Sequence, residues 1–202
     1  GNIEIPDNEF LISKDCTFIG HDSSLSFKEN SVIKVSNANV EFENLIIEKK
    51  SQAENSPLVF AKNSSVGISN CEFSAVFLKK GSLLDLENSK AQIENSGFTI
   101  QADSYACGIS SENSNVNCKN SRFTSVAESC FNVKISGGTC SFSDSSFSLI
   151  GTLGRGIQIL NANASVIQNE FNARLSDSTK KSSPIWSNVN SVVSEKNIQK
   201  GF

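Results

Sequence analysis

The sequence predicts an all-β protein, a single-stranded right-handed parallel β-helix of about 7–8 coils, each with about 24–27 residues and three short strands. Three observations predict this fold class: a ten-residue pattern recurs along the chain, every copy closes on a large apolar residue, and apolar and polar residues alternate within it. The copies are SSVGISNCEF (64–73), SKAQIENSGF (89–98), SNVNCKNSRF (114–123), GTCSFSDSSF (138–147), ANASVIQNEF (162–171) and a looser ANVEFENLII (38–47).

The closing apolar residue of each copy marks the length of one coil. The marks are Phe18, Ile47, Phe73, Phe98, Phe123, Phe147, Phe171 and Ile198. Their spacing is 24 to 26 residues between Ile47 and Phe171, and it widens towards both ends. Arrays with atypical terminal repeats show such drift. We therefore expect one domain, 1–202, with an irregular N-terminal coil or cap (1–30), regular coils (31–175) and an irregular C-terminal loop and cap (176–202).

Each unit contains three short apolar segments separated by polar turns. The segment before the mark alternates, as in Val66 and Ile68, with polar residues between the apolar ones, which is typical of a strand with one buried face. No sustained helical period with caps occurs. Three strands in so short a unit leave the parallel β-helix as the prediction, and parallel crossovers are overwhelmingly right-handed.

Stacked coils place equivalent residues over one another, so two columns are predicted. The closing Phe residues from Phe73 to Phe171 should form an internal aromatic stack. The residue three positions before each mark should form a column of bend residues, because Asn and Asp tolerate left-handed backbone angles and hydrogen-bond locally. The predicted bend residues are Asp15, Asn44, Asn70, Asn95, Asn120, Asp144 and Gln168.

The pattern V-x-I-x-N-x-x-F, as in Val66, Ile68, Asn70 and Phe73, resembles the right-handed β-helix repeats of pectate-lyase-like proteins and of bacterial surface passengers. The resemblance covers roughly residues 30 to 175. Segment 16–30, and the F-x-x-N motifs that begin at Phe27 and Phe60, also resemble chlamydial-type polymorphic membrane proteins more faintly. These resemblances imply a cell-surface, secreted or periplasmic protein. They also imply that an enzyme of this fold would act on polysaccharides through charged residues on the outer face of one strand stack.

Two outward glutamates are the best catalytic candidates under that resemblance. Glu43 and Glu94 hold the same position two coils apart, which the strand spacing places about 9.6 Å from each other. That distance is near the range of about 6.5–9.5 Å for an inverting pair of carboxylates. Lys119 is a third candidate, although with Glu94 it would equally make a surface ion pair. A weak Ca²⁺ site is a further alternative, with Glu41, Glu43 and Glu94 as its candidate ligands. The main expectation remains that the chain has no catalytic residue, cofactor or metal.

The six cysteines and the single histidine restrict the chemistry further. Cys118 and Cys140 fill positions that hold Ile or Val elsewhere, so we expect free thiols that serve as small buried hydrophobes. Disulfide bonds are the alternative, because Cys118 and Cys140, and likewise Cys107 and Cys130, lie in adjacent coils. Cys16 and Cys71 both lie two residues before a mark. His21 is expected in a solvated turn, which disfavours nucleophilic triads and zinc sites.

The remaining irregular segments are interpreted as turns and caps. Gly154-Arg155-Gly156 is read as a turn rather than an anion contact. Residues 176–184 form a polar loop with Lys180 and Lys181, followed by a final strand at Ile185-Trp186. Tyr105 and Trp186 are expected to lie apart in register, so that no aromatic platform forms for a sugar.

Charge and hydropathy exclude two classes of partner. A net charge of −3 argues against a nucleic-acid-binding surface, and no apolar run is long enough to span a membrane. The leading hypothesis is a non-enzymatic surface or exported rod that binds an unknown protein or glycan. The alternatives are a polysaccharide lyase or glycoside hydrolase relative, active or inactive, and a segment that oligomerises end to end; the sequence leaves monomer and oligomer open.

Overall fold

The computed structural model describes residues 1–5, 9–51, 56–176, 182–189 and 191–202. These residues form nineteen β-strands and no helix. The strands pair in parallel throughout and wind into a β-solenoid of about seven turns, which confirms the predicted fold class. Each regular coil contributes one strand segment to each of three ladders, which we call A, B and C in the order in which each full coil passes through them after β1.

The strand bounds follow this threefold division. Ladder A contains β2 (Glu9–Ile12), β4 (Val32–Ser36), β6 (Val59–Lys62), β9 (Lys80–Glu87) and β17 (Ser183–Ser187). Ladder B contains β7 (Ser65–Ser69), β10 (Lys90–Glu94), β15 (Asn163–Ile167) and β18 (Val192–Glu195). Ladder C contains β1 (Asn2–Ile5), β8 (Glu72–Phe77), β11 (Gly97–Gln101), β16 (Glu170–Leu175) and β19 (Ile198–Lys200).

Five longer strands run through a bend and belong to more than one ladder. They are β3 (Cys16–Phe27) and β5 (Asn39–Ser51), which pass from B to C, β12 (Tyr105–Lys119), which passes from A to B, β13 (Arg122–Ser143), which passes through C, A and B, and β14 (Ser146–Leu160), which passes from C to A. The two ends that were expected to be irregular continue the ladders, because β1 pairs with β3, and β17, β18 and β19 pair with β14, β15 and β16.

The predicted aromatic stack fills the core beneath ladder C. Neighbouring rings from Phe73 to Phe171 lie nearly parallel, with centroids 4.9 to 5.3 Å apart and interplanar angles of 4° to 13°. All five rings are almost completely buried. The repeat therefore places its largest side chains where their burial contributes most to stability.

The bends between ladders B and C use the left-handed conformation that was predicted for them. Asn44, Asn70, Asn95, Asn120, Asp144, Gln168 and Lys196 all have φ between 47° and 58°. A second column of left-handed residues, which the sequence reading missed, makes the bends between ladders A and B: Asn37, Asn63, Asn88, Asn113 and Asn161, with Gly137 in the remaining coil. Two tight corners per coil thus depend on residues that tolerate positive φ.

A buried hydrogen-bonded column of serines runs beside each column of bend residues. At the B–C bend, the backbone N–H of Cys71 donates to Ser96 Oγ, that of Ser96 to Ser121 Oγ, and that of Ser121 to Ser145 Oγ, each at 3.1 Å. Asn169 Oδ1 continues the column by accepting from Ser145 N–H at 2.9 Å. Each hydroxyl therefore satisfies a buried backbone donor of the preceding coil at a point where no strand does so.

Two predicted marks at the ends of the chain, Phe18 and Ile198, are wrong in register. Phe18 lies opposite Phe42 and stacks on it at 5.4 Å, while Leu25 lies opposite Ile47 and so occupies the mark. The pairing of β3 with β5 shifts between Ile19 and Ser23, and a count along the sequence does not reveal that shift. Gln199, rather than Ile198, lies opposite Phe171.

The same shift moves Asp15 and Cys16 away from their predicted columns. Asp15 is not a B–C bend residue, because its carboxylate accepts hydrogen bonds from the backbone and side-chain N–H groups of Asn39, at 2.7 and 3.0 Å. Cys16 lies opposite Val40, at an inward position of ladder B, and Cys71 belongs to a different column. The alignment of Cys16 with Cys71 is therefore also wrong.

Candidate functional site

The catalytic candidates from the sequence lie in one outward column of ladder B. Glu43 pairs with Ser69, Ser69 with Glu94, and Glu94 with Lys119, so Glu43 and Glu94 are two coils apart as expected. Glu94 and Lys119 are exposed, and Glu43 is half-buried.

The candidate Ca²⁺ ligands are spread over two columns of the same face. Glu41 belongs to the outward column next to that of Glu43 and Glu94, and its carboxylate lies over Gly67 of the following coil, where a Cβ would meet Glu41 Oε2 at 1.5 Å. Among the described residues, no group of three or more His, Cys, Asp or Glu side chains is placed to hold a metal ion. The three glutamates are therefore not gathered into one site.

The distinctive aromatic residues lie instead on ladder A. Tyr105 pairs with Lys80 at the start of β12, and Trp186 lies in the outward column that contains Asp85, Ser110, Lys134 and Gln158. Both residues belong to ladder A, but they are three coils apart, and Tyr105 lies five residues before Ser110, which holds the register position of Trp186, so the two lie apart in register as expected. Gly154-Arg155-Gly156 is not a turn but a part of β14 in the same ladder.

A repeated irregularity occurs on this face, which is concave between β9 and β12, where a pocket forms. Leu83 and Leu84 are consecutive and both fully buried, and Gly108 and Ile109 hold the same positions in the next coil. The strict alternation of a strand is broken there, so residues three apart face the same side. Ser82 with Asp85 and Cys107 with Ser110 line one pocket, and Arg155 Nη1 donates to Gln158 Oε1 at 3.0 Å. We call this concave face the groove and define it by two columns, Ser82–Cys107–Phe131–Arg155–Ser183 and Asp85–Ser110–Lys134–Gln158–Trp186.

The groove contains a pocket of about 180 Å³ between β9 and β12. It is lined by Lys80, Gly81, Ser82 and Asp85 of β9 and by Tyr105, Cys107 and Ser110 of β12. Gly81 is required at this point, because a Cβ there would meet the ring of Phe77 at 2.2 Å. The Tyr105 ring packs on that of Phe131 in the following coil, with centroids 5.5 Å apart, so the aromatic wall extends along the groove.

The pocket carries the most perturbed carboxyl group among the described residues. Burial raises the pKa of Asp85 to about 6, and the hydrogen bond from Ser82 opposes this shift only in part. Asp85 Oδ1 is buried and has no hydrogen-bond partner. Burial, followed by the charges of Cys107 and Asp85, also raises the pKa of Tyr105. A desolvated carboxyl beside a phenol and a thiol is unusual for a purely structural position.

The other end of the groove is built around a cation–π contact. The guanidinium of Arg155 lies 4.4 Å from the centre of the Trp186 ring. Burial lowers the pKa of Arg155. Lys134 lies in the column between the two ends, opposite Ser110 and Gln158. The groove therefore passes from a carboxyl at Asp85 to cationic groups at Lys134 and Arg155.

The cysteines are free thiols, as expected of small buried hydrophobes. Cys107 lies opposite Phe131 and Cys130 opposite Ala106, while Cys118 lies opposite Phe142 and Cys140 opposite Val116, so no two cysteines face each other directly. Burial raises the pKa of Cys107, Cys118 and Cys140 to about 12 and that of Cys130 to about 11. Neutral thiols of this kind are poor nucleophiles.

His21 lies in β3, not in a turn, at the point where the pairing with β5 shifts, and its side chain is exposed. Lys180 and Lys181 lie outside the described residues. The predicted strand at Ile185-Trp186 is part of β17, but it is not the final strand, because β18 and β19 follow it.

The groove was missed because the sequence was read with a strict period of two. Two signals point to it: the consecutive apolar pair Leu83-Leu84 breaks the alternation, and the only Tyr and the only Trp fall outside the repeated decapeptide. Comparison of the chain with protein-family models, with curated proteins and with solved structures finds no match. The described residues include no helix that is long and apolar enough to cross a membrane.

Proposed function

We propose that this chain is a non-enzymatic β-solenoid rod, exported or exposed at the cell surface, that binds a glycan or protein partner through the groove. The observation that carries the proposal is that the half-buried side chains of Tyr105, Phe131 and Trp186 all lie on ladder A, the face that contains the pocket. Aromatic side chains on a concave surface are typical of binding sites, since they offer large apolar contact together with polar edges. The resemblance to surface passengers supports the exported location.

The rigidity of the solenoid supports binding in particular. The groove residues are held on strands that pair with both neighbouring coils over a fully packed core. Little conformational entropy is then lost when a partner docks, and preorganisation of this kind increases affinity. An elongated partner that follows the rod would contact equivalent positions in several successive coils.

A second candidate function is hydrolysis or elimination on a polysaccharide, and one observation favours it. A carboxyl whose pKa is raised by burial, as in Asp85, has the property of a general acid. Glycoside hydrolysis nevertheless uses two carboxyl groups, and Asp85 is the one carboxyl among the residues that line the pocket. Glu43 and Glu94 lie on ladder B, away from the groove.

One experiment separates the two functions. The protein is applied to an array of glycans, and the same glycans are then incubated with it, with and without Ca²⁺, and analysed for new reducing ends or unsaturated products. The proposal expects binding without turnover, and at least tenfold weaker binding for Phe131→Ala, because aromatic anchors dominate such surfaces. Turnover that Asp85→Asn, Glu43→Gln or Glu94→Gln abolishes would overturn it.

For a protein partner, the same variants decide the location of the site. Binding that survives both Phe131→Ala and Trp186→Ala at unchanged affinity would show that the groove is not the interface. The outward Asn117→Ser, on ladder B, is the matched control, since the next coil carries Ser141 at that position.

A further inference from the structure

The pocket beside Asp85 is incomplete as it stands. The carboxylate accepts a hydrogen bond from Ser82, but its Oδ1 is buried without a partner. An unsatisfied buried acceptor costs on the order of 1–3 kcal/mol, more for a charged group. The torsion that orients a carboxyl group is broad and roughly two-fold, so rotation of the Asp85 carboxyl group about its Cβ–Cγ bond can turn Oδ1 towards the pocket. A ligand that donates a hydrogen bond would therefore remove a cost that the protein otherwise carries.

The charges around the pocket select against ionic ligands. Lys80 lines the pocket, and Lys134 is close enough to lower the pKa of Cys107, although burial dominates the shift of that thiol. These two cations disfavour a positively charged ligand. Asp85 at the wall disfavours a negatively charged one. A neutral donor is the ligand that meets neither repulsion.

The walls of the pocket combine hydroxyl groups with one aromatic ring. Ser82 and Ser110 offer hydroxyls that both donate and accept. Tyr105 offers a ring that Phe131 supports from the next coil at 5.5 Å. A sugar ring has the complementary chemistry, with an apolar C–H face for the aromatic ring and hydroxyls for the polar groups.

The size of the pocket limits the ligand to one small unit. Its volume of about 180 Å³ is below the range of about 300–1,000 Å³ that accommodates drug-sized molecules. A single ring fits that space, while a longer chain would have to continue along the groove towards Phe131 and Trp186.

We propose that this pocket binds one neutral saccharide residue, with the Asp85 carboxylate accepting hydrogen bonds from its hydroxyls and the Tyr105 ring packing against its face. The inference rests on the proposed function, because it takes the groove to be the binding face of the rod, and it names the subsite and the ligand class. A neutral terminal or branch sugar of a larger glycan is the expected occupant.

The test follows the Asp85 side chain directly. Protein labelled with ¹³C at aspartate is titrated at pH 7.5 with the methyl glycosides of glucose, galactose, mannose and N-acetylglucosamine, and separately with methylammonium and acetate. At least one glycoside should shift the Asp85 carboxyl resonance. A pH titration with that glycoside present should show a lowered Asp85 pKa, since a hydroxyl donor favours the charged form. The titratable groups around Asp85 are Lys80 on its own strand, Tyr105 and Cys107 on the next coil, and Lys134 two coils away.

Variants decide which groups carry the binding. Asp85→Asn keeps the shape of the side chain and should weaken glycoside binding about tenfold or more, because a hydrogen bond to a charged group is lost. Tyr105→Leu should weaken it several-fold through loss of the ring. Asn117→Ser, on ladder B, should leave binding unchanged. Circular dichroism and unfolding curves establish that each variant is folded.

Each other outcome overturns the inference. The first is that no glycoside shifts the resonance, which would mean that the pocket holds only water. The others are tighter binding of methylammonium or acetate than of any glycoside, and glycoside binding that is unchanged in Asp85→Asn. The broader proposal is tested separately. An oligosaccharide or protein whose binding is lost in Phe131→Ala but kept in Asp85→Asn would retain the groove as the binding face and remove this subsite alone.

Discussion

Replacing Ser121 by alanine tests the buried serine column, which is the part of the fold that hydrogen bonding rather than apolar packing holds together. Ser121 Oγ accepts from the backbone N–H of Ser96 at 3.1 Å and donates to the carbonyl of Lys119 at 2.9 Å. Both Ser96 and Ser121 are buried, so water does not replace the lost partner.

The magnitude follows from what each lost bond leaves behind. The Ser96 N–H loses its acceptor, which costs about 1–3 kcal/mol, and the bond to Lys119 O contributes about 0.5–1.5 kcal/mol net. The carbonyl of Lys119 keeps a second donor, the backbone N–H of Asn95 at 3.2 Å, and so adds no further cost. We therefore expect Ser121→Ala to lower the free energy of unfolding by about 1.5–4.5 kcal/mol. Ser121→Cys should lose less, because Cys71 begins the same column and its thiol lies near carbonyl groups in a similar way.

The assay combines urea unfolding with amide hydrogen exchange, since repeat proteins also open locally. The exchange of the Ser96 amide should accelerate in Ser121→Ala more than that of amides in distant coils. Asn117→Ser is the control, because Asn117 is exposed and lies in β12, which ends at Lys119 just before Ser121. The free energy of unfolding of this variant should stay within about 0.5 kcal/mol of that of the parent protein. A Ser121→Ala variant with the parent free energy of unfolding and an unchanged Ser96 amide would refute the reasoning.

Three further predictions concern the core, the pocket and the thiols. Phe98→Ala removes the ring that stacks on Phe73 at 5.3 Å and on Phe123 at 4.9 Å, and should lower the free energy of unfolding by about 3–5 kcal/mol, with Phe98→Leu costing less; equal losses in the two variants, measured by urea unfolding, would contradict this. Because the pKa of Asp85 is raised to about 6 in the folded protein, its contribution to stability is complete below the unfolded pKa near 3.8 and is lost as the pH rises through about 6, by up to about 3 kcal/mol. Asp85→Asn should remove this pH dependence, while Glu94→Gln should keep it, and parallel curves of the free energy of unfolding for parent and Asp85→Asn between pH 3.5 and 7.5 would refute the assignment. Burial raises the pKa of Cys107, Cys118, Cys130 and Cys140, so these thiols should react slowly with a disulfide reagent at pH 8. In the native protein at most the half-buried Cys16 should react rapidly, whereas all six thiols should react after denaturation. Absorbance follows the reaction, and rapid reaction of several thiols in the native protein would show that the core opens.

The regular part of the fold could be predicted from local sequence because every coil repeats the same short-range instructions. Val66 and Ile68 alternate with small or polar residues, Asn70 makes the corner, and Phe73 fills the core, and these preferences need no information from distant residues. Stacking then reproduces them in each coil, so the Phe column and the B–C bend column followed directly from the spacing. The outward column of Glu43, Glu94 and Lys119 was placed in the correct register for the same reason.

Only the tertiary structure reveals the features that depart from the repeat, which are the register shift in β3 and the groove. The register shift after Ile19 moved Phe18 into a different column, and it arises from the pairing of β3 with β5, which local alternation does not encode. Similarly, the buried pair Leu83-Leu84 turns Ser82 and Asp85 to one side, and only the stacking of successive coils brings Tyr105, Lys134 and Trp186 alongside them. The sequence by itself thus determined the solenoid, because a repeated local pattern has one stable way to stack. The groove is determined by packing between coils, because its residues are far apart in the chain and no local preference brings them together.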